Sequence, residues 1–116
     1  MKIFHILNKK DWEQVKDLNE YVPINLENEG FIHCSKKDQF VRIADIKFKG
    51  RRDLFLLEID SNKVKSPIKF ERTLGMKEKH PHVYGPIKIN AITKVYKLVP
   101  DVNGFFTQPR KEDKLK

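Results

Sequence analysis

The chain begins with a run that is apolar apart from one histidine, residues 3–7, and this run predicts a β-strand with Ile3, His5 and Leu7 on one face and Phe4 and Ile6 on the other. A helix is predicted over Lys9–Leu18, because Trp12 and the apolar residues after it fall at helical spacing and Asn8 is a typical N-cap. Ile24–Glu29 shows no regular period, so we expect an irregular connection there.

A second helix is predicted over Lys36–Phe48. Its apolar residues form one stripe along the helix: Phe40, Val41, Ala44 and Phe48. Gly50 is a typical stop for this helix. The most hydrophobic run in the chain follows at Leu54–Ile59 and predicts a buried central strand.

Shorter extended segments fill the C-terminal half of the chain. A strand is predicted at Ile68–Arg72 and a polar loop at residues 73–79. Residues 80–86 contain two prolines and predict a constrained extended segment that ends in a turn. Residues 87–98 alternate imperfectly and predict one or two closing strands.

These elements add up to a single α+β domain over residues 1–109, with two N-terminal helices packed on a split, mostly antiparallel sheet. Residues 110–116 are nearly all charged and are predicted to form a mobile tail. The lone Cys34 excludes an internal disulfide and suits a reducing cytoplasm. No apolar stretch approaches the roughly 20 residues that span a bilayer, so we expect a soluble, cytoplasmic protein without a membrane partner.

The charge of the chain suggests a class of partners. There are 24 basic and 16 acidic side chains, which give a formal net charge of +8. This excess favours phosphate-bearing ligands, including nucleotides and RNA, but specifies no reaction. Since lysine often only solvates a surface, the charge alone does not define a nucleic-acid interface.

The densest group of candidate residues is the stretch Gly30-Phe31-Ile32-His33-Cys34-Ser35. Its two apolar residues predict a short interior strand, which would place His33 and Ser35 on one face. Ser35 also resembles a helix N-cap, and a strand that ends at a helix N-terminus often forms an anion pocket. The alternative is that Ser35 serves only as the cap.

Other kinds of site are weaker on the sequence alone. Four residues could supply metal ligands on paper: His33, Cys34, His80 and His82. No spacing among them matches a zinc signature, so we expect no metal. The His-x-Ser element at His33 is typical of two-histidine phosphoesterases, but a second such element is absent.

Two residues of the C-terminal half complete the candidates. Glu71 lies at the end of a predicted strand, where it could hydrogen-bond a ribose hydroxyl or act as a base. It could equally pair with a neighbouring lysine. Tyr84 could stack on a flat ring, or it could be a core tyrosine with a backbone partner.

A family resemblance ties these stretches together. Several motifs recur in the same order in one family: Ile3-Phe4-His5-Ile6, Trp12, Tyr21-x-Pro23, GFIHCS with Gln39, Leu54-x-Leu56-Leu57-x-Ile59-Asp60, Phe70-Glu71 and Pro81-His82-Val83-Tyr84-Gly85-Pro86. The chain resembles the small bacterial proteins grouped as domain of unknown function 952, over nearly all of residues 3–109. The family usually carries tryptophan in place of Phe70 and an aromatic or apolar residue in place of His80, so it manages without a histidine there.

The resemblance implies a fold similar to that of the ADP-ribosyltransferase superfamily, whose members bind NAD or an ADP-ribosyl group in a cleft between two small antiparallel sheets. It makes His33 the position that looks like the ribose-binding histidine. His82 or Tyr84 would face the nicotinamide ring, and Glu71 is the candidate for the acidic residue.

We therefore expect a nucleotide-directed, transferase-like enzyme that uses NAD or ADP-ribose. Its catalytic residues would be His33, His82 and Glu71. Its cofactor-binding residues would be Ser35, Gln39, Tyr84, Arg42 and Arg52. The stretches around His33 and Tyr84 are expected to meet as facing walls of a groove. The alternative is a non-catalytic module that binds RNA or another phosphate-rich ligand.

Overall fold

Three small antiparallel sheets frame the protein in the computed structural model, which describes residues 1–73 and 75–116. The strands are β1 (Lys2–Asn8), β2 (Glu20–Tyr21), β3 (Ile32–His33), β4 (Leu54–Asp60), β5 (Ile68–Arg72), β6 (Lys79–Val83), β7 (Ile87–Lys88) and β8 (Ile92–Leu98). The sheets have the orders β1-β4-β8, β2-β7 and β3-β6-β5, and the strand pairs are antiparallel. The α+β class with a split antiparallel sheet is thus confirmed.

The strand β4 lies in the middle of the largest sheet and is buried on both faces. On one face, Phe55 and Leu57 pack into a cluster that includes Trp12. On the other, Leu54 and Leu56 pack into a second cluster. A strand covered on both sides must be apolar at nearly every position, which is why its sequence predicted a buried central strand.

The helices are α1 (Lys9–Val15), α2 (Ile24–Glu29) and α3 (Phe40–Lys47). The prediction of an irregular connection at α2 is wrong, so the described chain has one helix more than expected. None of the side chains of α2 is buried, so its sequence carries no apolar stripe that would predict a helix. Gly30 ends this helix in the left-handed conformation at φ +85°, and its N–H donates to the carbonyl of Leu26 at 2.9 Å.

The predicted start of the next helix is also wrong, because α3 begins at Phe40 and Gln39 holds the N-cap position. Ser35 is not a cap. Its N–H and C=O form two hydrogen bonds with Phe4 of β1, at 2.7 and 2.8 Å. Ser35 is therefore extended and connects β3 to the first sheet.

The C-terminal tail lies along β8. The N–H of Leu115 donates to the carbonyl of Val95 at 2.7 Å, and the N–H of Val95 donates to the carbonyl of Lys116 at 3.2 Å. These bonds attach the tail to the edge of the sheet. The predicted mobility of residues 110–116 stays a prediction.

One histidine connects all three sheets. The ring of His5 on β1 bonds the carbonyl of His33 on β3 through Nδ1, at 2.6 Å. Because a carbonyl can only accept, Nδ1 carries the proton, and Nε2 accepts from the hydroxyl of Tyr21 on β2 at 2.8 Å. Burial lowers the pKa of His5 to about 4, so the ring is neutral at pH 7.

Stability should therefore depend on pH through His5. Its ordinary pKa is 6.5, so between pH 6.5 and pH 4 the unfolded chain binds a proton that the folded chain does not. The free energy of unfolding should fall by on the order of 3 kcal/mol as the pH is lowered across this window. His5→Gln keeps a donor for the carbonyl of His33 and does not titrate, so it should flatten this part of the profile.

Urea denaturation, followed by circular dichroism at a series of pH values, measures the free energy of unfolding of wild type and His5→Gln. The pKa values of Glu71 and Glu78 are lowered by hydrogen bonds, chiefly those to Tyr84 and Gln39 respectively. Their effect begins at the acidic end of this window, near pH 4.5, whereas burial also lowers the pKa of His80, which acts within it. All three contributions are common to both proteins, so the difference between the two profiles reports His5. Equal slopes for wild type and His5→Gln between pH 6.5 and pH 4 would contradict the role of His5.

Gly85 allows the chain to pass close to Ser66. A Cβ atom at Gly85, whose φ is +153°, would lie 2.5 Å from Ser66 Oγ and 2.9 Å from Ser66 Cβ. The Ser66 hydroxyl is held by its bond to the carbonyl of Pro86 at 2.7 Å. Gly85→Ala should lower the free energy of unfolding by about 2 kcal/mol or more, because the serine must shift.

Gly30→Ala is the matched control for this prediction. Gly30 has φ +85° but no atom within 4 Å of an added Cβ. Gly30→Ala should therefore lower the free energy of unfolding only through the left-handed backbone, by about 1 kcal/mol. Thermal or chemical denaturation of the two variants compares them directly. A Gly85→Ala protein that is no less stable than Gly30→Ala would show that the contact with Ser66 relaxes freely.

Candidate functional site

His33 and His82 lie directly opposite each other on the neighbouring strands β3 and β6. Directly opposed residues of an antiparallel pair share one face of the sheet, and here the ring centroids are 5.3 Å apart. The two candidate stretches therefore meet, as expected. They are neighbours on one surface, however, and not facing walls of a groove.

Glu71 and Tyr84 belong to the same surface. One oxygen of Glu71 accepts a hydrogen bond from His82 Nδ1 at 3.0 Å and another from the hydroxyl of Tyr84. The bond from Tyr84, followed by that from His82, lowers the pKa of Glu71. The bond to Glu71 in turn raises the pKa of Tyr84. The structure thus brings three predicted residues, His82, Glu71 and Tyr84, into one hydrogen-bonded group.

His82 is closed off from solvent. It is 2% exposed, and the ring of Phe31 stacks on it with centroids 4.2 Å apart and planes 19° apart. Phe31 also meets the edge of His33, at 4.8 Å between centroids. His82 and Phe31 therefore form a packed support beneath His33, and His33 is the histidine that a ligand can reach.

A groove of about 520 Å³ runs along β1 and is bordered by α1, α2 and the end of α3. The polar side chains that line it include His5, Tyr21, Glu29, His33, Ser35, Lys47 and Arg51. Of the predicted catalytic and binding residues, His33 and Ser35 line this groove. In the described parts of the chain, His82, Glu71 and Tyr84 do not.

Glu29 is the carboxylate that the groove presents next to His33. It is the last residue of α2, and its Oε2 lies 2.5 Å from His33 Nε2, which donates the hydrogen bond. The sequence analysis did not single out Glu29, because it lies in the stretch predicted to be irregular. The available signal was its position four residues before His33, across the turn at Gly30.

Gln39 and Arg42 are held away from the groove. Gln39 is buried, and its side-chain amide donates to the carbonyl of Lys79 at 2.9 Å and to Glu78 at 3.2 Å. Arg42 pairs with the same Glu78 at 2.5 Å. The two residues clamp the start of α3 to β6, and this accounts for Gln39 within the family motif.

The arginine at the groove is Arg51 and not the predicted Arg52, which is exposed in the same loop. Arg51 bonds both oxygens of Asp53, at 3.0 and 2.8 Å, and this bond raises the pKa of Arg51. The carbonyl of Asp53 accepts from the N–H of Lys9. Arg51 therefore lies near the C-terminal end of β1, away from His33.

The edge of β1 forms part of the groove wall. The N–H and C=O of Phe4 point to Ser35, and backbone groups two residues apart on a strand point the same way. Ile6 therefore turns its N–H and C=O into the groove. Within residues 1–73 and 75–116, these two groups have no backbone partner.

His80 is buried without a hydrogen bond. It is 4% exposed, and neither ring nitrogen has a partner among the described residues. Burial lowers its pKa.

Among all the described residues, no three His, Cys, Asp or Glu side chains are arranged to hold a metal ion. No helix formed by the described residues is long and apolar enough to cross a membrane.

A family model described as "Protein of unknown function (DUF952)" matches residues 6–95. The chain belongs to this family. Its DUF952 membership confirms the family that the GFIHCS and PHVYGP motifs indicated. The family description states no reaction, so the assignment of chemistry depends on the site itself.

Two solved structures are similar to this DUF952 protein. The X-ray crystal structure of protein CC0527 from Caulobacter crescentus is 27% identical, covers 92% of this chain and 94% of that chain, and has a TM-score of 0.79. The solution NMR structure of CC0527 is 26% identical, covers 92% and 91%, and has a TM-score of 0.73. A search of curated proteins finds no match.

The different burial of the two opposed histidines predicts different effects of their removal. His82→Ala should lower the free energy of unfolding by about 2–4 kcal/mol, since it removes a buried, stacked and hydrogen-bonded ring. His33→Ala should cost less than about 1 kcal/mol, because its side chain is 29% exposed and lines the open groove. Chemical denaturation of both variants tests this. A large loss of stability in His33→Ala would make His33 a packing residue.

Proposed function

We propose that this DUF952 protein is a nucleotide-directed enzyme similar to the ADP-ribosyltransferases, with NAD or ADP-ribose bound in the groove along β1. The observation that carries the proposal is the position of His33. It lies at an open groove of about 520 Å³, at the split between the first sheet and β3. This is the kind of cleft that the resemblance to the superfamily implies.

The end of the groove at His33 suits a ribose. The carboxylate of Glu29 can accept hydrogen bonds from vicinal hydroxyls, and the imidazole of His33 beside it supplies a further polar group. In this proposal Glu29 takes the acidic position for which Glu71 was the candidate. Glu71 does not line the groove and accepts hydrogen bonds from His82 and Tyr84 instead.

The wall of β1 suits a flat ring that carries an amide. The N–H and C=O of Ile6 present one donor and one acceptor side by side. A carboxamide offers the complementary acceptor and donor, so it can form two hydrogen bonds with a single residue. Nicotinamide has this group, and Tyr21 lines the groove nearby.

The far end of the groove suits phosphates. Lys47 and Arg51 line it, and Arg51 lies near Asn8, three residues along β1 from His5. Three residues of strand span roughly 10 Å, which is a suitable distance between a ribose and a pyrophosphate. These two cations take the role expected for Arg42 and Arg52.

The chemistry follows from these positions. In transfer from NAD, the bond between nicotinamide and ribose breaks, and its electron pair leaves with the nicotinamide nitrogen. The ribosyl carbon becomes positively charged, and the nucleophile of the acceptor forms the new bond there. Glu29 would stabilise this charge by electrostatics, and the groove would hold the reactants in place.

A thermal-shift measurement tests the proposal. Millimolar NAD or ADP-ribose should raise the melting temperature of the wild type, because a ligand that binds only the folded state stabilises it. His33→Ala should abolish the shift. Arg51→Ala should reduce it, whereas Arg42→Ala, which removes an equal charge at Glu78, is the matched control and should keep it.

The outcomes distinguish the proposal from the binding-module alternative. Absence of a shift with both ligands would contradict a nucleotide groove. RNA binding that falls steeply with salt and is unchanged in His33→Ala would favour the module. The +8 charge supports this alternative, as does a depression away from His33 that is lined by four lysines and two acidic residues: Lys9, Lys16, Lys97, Lys116, Glu13 and Asp17. Lys16 pairs with Glu13.

A further inference from the structure

The strand β5 forms the outer edge of the sheet β3-β6-β5, so one of its sides has no strand beside it among the described residues. The direction of its backbone groups follows from Pro81 in β6. The carbonyl of Pro81 accepts from the N–H of Cys34 at 3.0 Å, so Pro81 faces β3. Its neighbours His80 and His82 therefore face β5.

The register then shows which groups of β5 point outward. His80 lies opposite Glu71, and His82 lies opposite Lys69, so these two residues of β5 use their backbone groups on β6. The N–H of Tyr84 donates to the carbonyl of Pro67 at 2.8 Å. This bond continues the same alternation, because Tyr84 lies two residues after His82 and Pro67 lies two residues before Lys69.

The alternate residues of β5 consequently turn their N–H and C=O groups away from the sheet: Ile68, Phe70 and Arg72. In the described part of the chain, these groups have no backbone partner. The free edge is five residues long, and Phe70 is at its centre.

We infer that β5 pairs antiparallel with β5 of a second copy of this chain, with the two-fold axis at Phe70. The outward N–H and C=O of Phe70 would each bond their counterparts in the second copy, as in a hydrogen-bonded antiparallel pair. The two sheets would become one six-stranded sheet.

The side chains of β5 are complementary to themselves about this axis. With Phe70 opposite Phe70, Lys69 lies opposite Glu71 of the second copy, and Glu71 lies opposite Lys69 of the second copy. Opposite charges at facing positions stabilise a strand pair, and so do facing aromatic rings. Phe70 is 42% exposed, and the pairing would cover it.

The charges on β5 could instead serve to prevent pairing with other chains. Lysine and arginine at an edge strand commonly prevent pairing with other chains. Here, however, Lys69 is matched by Glu71 at the same distance from Phe70, so pairing brings opposite charges together. The second copy would also place an ammonium beside Glu71, which already accepts from His82 and Tyr84.

Sedimentation equilibrium of the full chain, from micromolar to millimolar concentration, tests this inference. The wild-type mass should rise from monomer to dimer. Phe70→Pro should stay monomeric with an unchanged circular dichroism spectrum, because its lost N–H points outward and proline is tolerated at such edge positions. Val102→Lys, a change at a fully exposed loop residue, is the control and should dimerise like wild type.

A charge exchange identifies the pairing more specifically. Lys69→Glu and Glu71→Lys should each be monomeric, since each places like charges opposite one another. An equimolar mixture of the two should form a heterodimer, because every facing pair is then of opposite sign. A wild type that is monomeric at all concentrations, or a dimer that survives Phe70→Pro, would overturn the inference. Both outcomes are independent of NAD binding.

Discussion

The arrangement of the molecule depends on one neutral imidazole at the meeting point of three sheets. The carbonyl of His33 requires a proton on Nδ1 of His5, and this leaves the lone pair of Nε2 for the hydroxyl of Tyr21. A protonated ring would lose this acceptor, so the hydrogen bond that the Tyr21 hydroxyl donates exists only in the neutral form. Three of the described strands have only two residues each, so they form few backbone hydrogen bonds of their own, and this side-chain link is a large share of what joins the sheets.

The same contact determines the shape of the groove. His5 holds the backbone of His33 close to β1. Ser35 pairs with Phe4, the residue that precedes His5 on the same strand. Beyond this bridge, the edge of β1 stays open at Ile6. The groove is therefore the space between two sheets that are joined at one end only, and His33 and Glu29 line it where the strands diverge.

The two motifs of the family have different physical roles in this arrangement. GFIHCS supplies His33, which reaches the groove, and Phe31, which packs behind it. PHVYGP supplies the buried His82, and its glycine passes close to Ser66. A histidine in a shared motif can thus be a support for the site without being part of it.

Much of the fold could be predicted from the sequence, because β1 and β4 show their burial directly in their apolar patterns. The start of α3 could not, since Ser35 is held extended by Phe4, a residue that is distant in the chain. The α2 helix was missed because it buries no side chain.

The site was predictable in part. The meeting of His33 and His82 was expected from the motifs, whereas the position of Arg51, and not Arg52, at the groove depends on which way a loop residue points. The local sequence does not determine such a direction.

Pro81 has a consequence for where the chain changes direction. Cys34 donates its N–H to Pro81, but Pro81 has no N–H to return to the carbonyl of Cys34. The pairing between β3 and β6 therefore ends at Cys34, and the following residue, Ser35, bonds Phe4 of the first sheet instead. A single missing N–H in β6 thus coincides with the point where the chain crosses from one sheet to the other, beside the groove.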